Sequence, residues 1–223
     1  MKILCVADHI DPLVYSTAMK ARFSQVELVL GAGDLPLEYY SFIVSMLNVP
    51  LLFVYGNHNL SGLDAYQGRH VATDTRALAD QFQPSNAIGA TFLEGRHYKH
   101  KKLLIAGLGG SMRYNDGEHQ FTEFQMMVRV LGLAPRLWWN KLRHGRYLDI
   151  LLTHAPPRGI HDKADKTHWG FKAFLTFMRW FEPRYLIHGH IHLYELNEVR
   201  RTEYRKTTIL NCYDHLVLEV EHV

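Results

Sequence analysis

The chain has 223 residues, 47% of them hydrophobic and 21% charged, enough to bury a sizeable core and compatible with one α/β domain over residues 1–223. Its formal charge of +3 makes no independent case for nucleic acid, and no apolar run approaches the roughly 18–20 residues that span a bilayer. The first strand-like run begins at Lys2 without the pattern of a secretory leader, which gives the cytoplasm as the expected compartment, and Cys5 and Cys212 sit in apolar runs as reduced, buried thiols.

Met1 to Ala7 is a continuous apolar run, the signature of a strand buried on both faces, and it ends at Asp8-His9-Ile10-Asp11-Pro12. A helix-compatible stretch leads to about Ser24. Val26 to Leu30 is then a second strand that runs into Gly31-Ala32-Gly33-Asp34. A helix over Tyr39 to Leu47 precedes a third strand, Leu51 to Tyr55, which ends in Gly56-Asn57-His58-Asn59. The βαβαβ order implies parallel pairing through right-handed crossovers, and in such sheets the ligand crevice lies beyond the carboxyl ends of the strands. Asp8, Asp34, Asn57 and His58 all fall there.

After a long connection from about Leu60 to Asn86, Ala90 to Glu94 and Lys102 to Ala106 read as a hairpin whose basic turn, Arg96 to Lys102, is solvated. The Gly-rich loop after it carries Arg113 and Tyr114, without a P-loop or dinucleotide fingerprint. Phe121 to Leu133 and Arg136 to Arg143 read as helices, with Trp138 and Trp139 as packing residues. Leu148 to Thr153 is a buried strand that delivers His154, and a polar loop with His161, Lys163 and His168 leads to a helix near Phe171 to Phe181. Tyr185 to Ile187 then enters His188-Gly189-His190-Ile191-His192. In an extended chain residues two apart share a side, so His190 and His192 are expected to face one site, and divalent metals accept neutral imidazole readily. Alternating stretches around Thr207 to Leu210 and Leu216 to Val220 close the chain as antiparallel strands.

The ordered set Asp8, Gly33-Asp34, Gly56-Asn57-His58, His154 and Gly189-His190-Ile191-His192 resembles the calcineurin-like metallophosphoesterases, over essentially the whole chain. The resemblance implies a four-layer αββα sandwich of two mixed β-sheets flanked by helices. It also implies hydrolysis of a phosphomonoester or phosphodiester by metal-bound hydroxide; a small-molecule ester is the expected substrate, with nucleic acid an alternative that the dispersed charge supports only weakly. Two divalent ions, Mn, Fe or Zn, would lie roughly 3.5–4 Å apart. By the same resemblance Asp34 bridges them, Asn57, His154 and His190 complete one, and Asp8 with His192 holds the other. His58 is then a charged donor or general acid at the leaving-group oxygen. Arg113, Tyr114, His161 and His168, with Lys163, lie on loops expected to rim the site and contact substrate.

This sequence departs from the family at one ligand. The family has Asp-x-His where this chain has Asp8-His9-Ile10-Asp11, so the Asp8/His192 ion is expected to be the weaker one, with His9 and Asp11 better read as structural. Asn59 stands where the family has an acid after Gly-Asn-His, which removes a carboxylate that would orient His58. His188, outside the family's ligand pair, reads as a structural hydrogen-bonding residue. The lost ligand also admits a second reading, a metallophosphoesterase fold that serves as a protein-binding scaffold.

Overall fold

The strands at the centre read apolar on both faces because each is covered twice. The computed structural model describes residues 1–58, 89–195 and 197–221, so the connection from Leu60 to Asn86 and the position of Asn59 lie outside the described residues. In chain order the elements are β1 (Lys2–Ala7), α1 (Met19–Arg22), β2 (Val26–Gly31), α2 (Leu37–Leu47), β3 (Leu51–Phe53), β4 (Ala90–Phe92), β5 (His97–His100), β6 (Leu103–Leu108), β7 (Ser111–Met112), β8 (Gln120–Phe121), α3 (Glu123–His144), β9 (Ile150–Thr153), α4 (Lys172–Phe181), β10 (Tyr185–His188), β11 (Arg201–Tyr204), β12 (Thr207–Asn211) and β13 (Asp214–Glu219).

Two large sheets result. One has the order β13-β1-β2-β3-β4 and the other β11-β12-β10-β9-β6-β5. Within the first, β1 to β4 pair in parallel and β13 adds antiparallel to β1; within the second, β6, β9, β10 and β12 are parallel and β5 and β11 are antiparallel edges. Side chains alternate across each strand. Ile3, Cys5 and Ala7 of β1 and Leu28 and Leu30 of β2 meet Ile150 and Leu152 of β9 and Ile187 of β10 in a core between the sheets. Leu4 and Val6 turn the other way, onto Met19, Tyr39, Tyr40 and Ile43 of α1 and α2. Leu151 and Leu186 turn outward from the second sheet onto α3 and α4, through Met126, Val130, Phe174 and Phe177. Helices, sheet, sheet and helices make the four layers expected from the sequence.

Three local readings change. Ala90–Phe92 pairs in parallel with β3 in the first sheet, and the hairpin is formed instead by β5 and β6, so the basic turn is mostly an edge strand. Short apolar runs carry no record of their partner, which is chosen by distant chain. The two expected helices around Pro135 are one 22-residue helix, α3. Its start is fixed by a capping box, Gln125 N–H donating to the Thr122 hydroxyl oxygen and Thr122 N–H to the Gln125 side-chain Oε1, and its end by left-handed Gly145. Pro135 lies on the solvent face, where its missing backbone donor is least costly. Trp138 and Trp139, expected to pack, are 56% and 60% exposed. Among the described residues no helix is long and apolar enough to cross a membrane.

Candidate metal centre

Parallel pairing brings the carboxyl ends of β1, β2, β3, β9 and β10 to one edge, and the motif residues follow those ends. Three of them, Asp8, Asp34 and His190, have φ of 67°, 57° and 67°, the left-handed region that costs a non-glycine residue on the order of 1–3 kcal/mol. The chain turns sharply as it leaves each strand, and this throws the side chains back over the sheet edge.

His154 is the centre of the arrangement and is fully buried. Its Nδ1 donates to the Ala32 carbonyl at 2.7 Å, so in the neutral ring Nε2 carries a lone pair. That lone pair faces the Asn57 Oδ1 at 3.2 Å and the Asp34 Oδ2 at 3.4 Å. Three electron-rich atoms converging in a buried space repel one another unless a cation lies among them. A proton meets that need in the metal-free chain: burial pulls the His154 imidazole down, but the charge and hydrogen bond of Asp34 outweigh it and hold the group up at about 9.

The other ligand atoms are similarly held. Asp34 Oδ1 accepts the His58 backbone N–H at 2.7 Å, leaving Oδ2 for the site, and the Asp34 carboxyl stays well below the usual range, its burial outweighed by His154 and the His58 N–H. Asn57 Nδ2 donates to the Tyr114 hydroxyl oxygen at 3.2 Å, which turns Oδ1 inward. His190 Nε2 donates to the Thr167 carbonyl at 2.9 Å, which leaves Nδ1 its lone pair. Burial first, and then the nearby His154, push His190 down to about 3, so it stands neutral, as a ligand must. Asp34, His154 and His190 are all buried and offer atoms within 4.8 Å of one another. The orienting partner Thr167 has no sequence signature, because what it supplies is its backbone carbonyl.

Asp8 and His192 fall outside that group. Both Asp8 oxygens accept the His190 backbone N–H, at 3.0 and 2.9 Å, and burial, opposed by His154 and reinforced by Asp34, raises the carboxyl to about 7. β10 ends at His188, so strand alternation does not carry on to His190 and His192. His192 instead points Nδ1 at the Tyr194 hydroxyl, 2.8 Å away, and packs 4.9 Å from the Tyr213 ring. Ile10 is 40% exposed. Neither neighbour replaces it: His9 bonds Asp214 at 2.8 Å, while Asp11 accepts the Leu13 N–H and pairs with His215.

The expected rim divides. Tyr114 reaches the site through Asn57. His168, held by Asp165, lies 5.6 Å from the His190 ring. Arg113 donates to Gln125 Oε1 and lines a cavity of about 410 Å³ with Tyr114 and Lys166. Lys163 donates to the His192 carbonyl. His161 does not face the site: its Nδ1 lies 2.9 Å from His188 Nε2 and its Nε2 2.8 Å from the Thr202 hydroxyl. His188 Nδ1 completes the row on the Gly189 carbonyl. Burial pushes both rings down, His188 to about 3 and His161 to about 4, so this is a neutral structural chain, as expected for His188 and against the expectation for His161.

The calcineurin-like phosphoesterase family model matches residues 1–194. The chain belongs to that family. A UPF0046 protein of Caenorhabditis elegans is 23% identical over 215 residues, covering 86% of this chain and 63% of its own length; the chain therefore spans less than two thirds of that relative. Among solved structures, TT1561 of Thermus thermophilus is 13% identical with a TM-score of 0.58, covering 96% of this chain and 89% of that one. GAP50, described as the anchor in the inner membrane complex of Plasmodium, is 12% identical with a TM-score of 0.53, covering 96% and 71%. At these identities the structures speak for the fold alone.

The calcineurin-like motif glycines have a steric reason in this chain. A Cβ on Gly56 would stand 1.9 Å from Asp34 Oδ1, and one on Gly189 2.5 Å from Asp8 Oδ2, so each lets backbone lie against a carboxylate. Gly56→Ala is therefore expected to displace Asp34 and lower metal affinity by at least tenfold, with a loss of stability in the 1–3 kcal/mol range of overpacked sites. Gly132→Ala, whose Cβ would meet nothing within 4 Å and whose φ, like that of Gly56, is not positive, is the control for a methyl added without a clash. Titration calorimetry with Mn²⁺ reads the difference, and equal affinities for the two variants would defeat the steric account.

Proposed function

We propose that the chain is a metal-dependent phosphoric ester hydrolase. The observation that carries this reading is the convergence of the buried His154 Nε2 on Asn57 Oδ1 and Asp34 Oδ2 at 3.2 and 3.4 Å, a set of nitrogen and oxygen donors without thiolate. Asp34, Asn57, His154 and His190 would hold one divalent ion, and Asp8 with His192 a second, weaker one. When bound, such ions polarise the phosphoryl oxygens and lower the pKa of water.

The remaining work falls to the chain. Water's oxygen bonds to phosphorus as the ester P–O bond breaks, His58, whose side chain is exposed at the edge of the site, gives a proton to the departing alkoxide, and the proton shed by the water passes to solvent, from which His58 is reprotonated. Tyr114 spends its hydroxyl oxygen on Asn57, so its O–H is left to donate to a phosphoryl oxygen. Arg113 and His168 add positive charge or donors for the ester. The substrate class is a phosphomonoester or phosphodiester of a small molecule.

Nitrophenyl phosphate and bis-nitrophenyl phosphate, tested on the chelator-stripped protein with and without Mn²⁺, check the proposal. Turnover that returns with the metal is expected. Inertness toward both esters with Mn²⁺, Zn²⁺ and Fe²⁺ would favour a second reading, a protein-binding scaffold. That reading draws on Ile10, on the position of Asp8 and His192 outside the metal-competent group, and on the anchor role given to GAP50. After gentle dialysis one equivalent of metal should remain, and two firmly held equivalents would remove the case for a weaker site.

A further inference from the structure

Helix α3 buries one stripe, Met126, Val130, Leu133 and Leu137, under the second sheet. It also carries a second apolar stripe that nothing among the described residues covers. Phe124, Val128, Leu131, Pro135, Trp138 and Leu142 follow one another at spacings of four, three, four, three and four residues. The five other than Pro135 are 77%, 49%, 49%, 56% and 80% exposed, and Pro135 is exposed too. Aromatic side chains offer about 150–250 Å² each, so with Trp139 the stripe reaches several hundred Å². That is at or above the roughly 300–600 Å² of the largest patch on an ordinary monomer.

We propose that this face of α3 pairs with the same face of a second copy, antiparallel, about a two-fold axis near Leu133. The 4-3 spacing is the first argument. An apolar repeat of 3.5 residues is the seam by which one helix packs along another at a shallow angle, whereas a helix facing lipid or a flat surface keeps a broader stripe of period 3.6. Self-complementarity is the second. Turned end for end, the stripe sets Phe124 against Leu142, small Val128 against large Trp138, and Leu131 against Pro135 of the other copy. This matches large with small in every layer away from the ends.

Gly132 and Ala134 fall beside the axis, and a Cβ on Gly132 would meet nothing within 4 Å, so the two helices can approach most closely where they cross. Charge is the third argument. Lys141 and Arg143 lie in the last turn and Glu123 in the first. A parallel arrangement would stack Lys141 and Arg143 of one copy on those of the other and align the helix dipoles, which the antiparallel one avoids; Glu123 itself is spent within the chain, its oxygens accepting the Lys172 and Ala173 N–H groups. Trp138 is already held in place, edge-on to Tyr147 at 5.2 Å, so little side-chain freedom is lost on pairing. Two copies bury the stripe twice, close to the roughly 1,200 Å² at which stable interfaces begin.

Sedimentation velocity of the full chain over a hundredfold concentration range is expected to show a monomer–dimer equilibrium. Leu131→Glu, on an exposed position, should shift it at least a hundredfold toward monomer with the circular dichroism unchanged. Cysteine variants give a second, independent readout, since Cys5 and Cys212 are buried. Val128→Cys mixed with Trp138→Cys should form a disulfide-linked pair under mild oxidation that neither variant forms alone. A chain that stays monomeric throughout, a dimer indifferent to Leu131→Glu, or a Val128→Cys protein that links to itself would each overturn the proposal. So would a monomer that instead floats with phosphatidylserine-containing vesicles, which would make the stripe a membrane contact.

Discussion

Asp34→Asn is expected to abolish metal retention and ester hydrolysis together, and to flatten the pH dependence of stability in the metal-free protein. Asparagine keeps the shape and an oxygen for the His58 N–H, but it removes the charge that faces His154. In the metal-free parent that charge holds the His154 imidazole at about 9 instead of 6.5. A group raised on folding stabilises the protein fully below its unfolded value, and the contribution is lost as pH climbs through the folded one. The stripped parent should therefore lose on the order of 3 kcal/mol between pH 6.5 and 9, at about 1.4 kcal/mol per pKa unit.

Asp8, raised to about 7 by burial, loses stability in the same direction but has largely finished by then. Above neutrality the slope belongs to His154. Adding Mn²⁺ should erase it, because the ion replaces the proton on Nε2, and affinity for the ion should rise with pH over the same window as the proton leaves more easily. Urea unfolding of stripped and loaded parent and variant, with metal content by emission spectroscopy, reads all of this. A variant that keeps its metal, or a stripped parent with no slope above pH 7, would show that Asp34 and His154 do not share a cation.

How much of this could be read before the structure depends on how local each determinant is. The strand ends at Asp8, Asp34, Asn57 and His154 were legible, because an apolar run stopping at Gly-Asp or Gly-Asn-His is a short-range pattern and parallel topology then gathers the ends. The four layers were implied by the family resemblance and not by the runs themselves. Long-range choices were not legible. That Ala90–Phe92 joins β3 while His97–His100 joins β6 is set by partners distant in sequence, which a short apolar run does not record. The face of an imidazole was misread where the backbone left the strand: His190 at φ 67° breaks the alternation that Ile187 and His188 obey, so His192 lands among tyrosines. His161 looked like a rim residue from its loop, and only the fold shows its ring spent on His188 and Thr202.

His58→Ala is expected to lower turnover by about 10²–10⁴-fold, the range of a lost general acid, while metal content and fold stay as in the parent. The two effects separate because the residue serves the site twice, through different atoms. Its backbone N–H donates to Asp34 Oδ1, and alanine keeps that bond, so the carboxylate stays aimed at the ion. Its side chain is exposed and outside the buried ligand group, so removing it leaves no cavity and no orphaned partner in the core.

Leaving-group chemistry then distinguishes proton donation from a general electrostatic role. An alkyl alkoxide needs a proton as it departs and a nitrophenolate hardly does, so the variant should suffer far more on an alkyl phosphate than on nitrophenyl phosphate. Equal losses on both esters would recast His58 as a charge that steadies the phosphoryl group. Undiminished turnover on both would place the proton donor elsewhere, with His168, held by Asp165 beside His190, the next residue to replace.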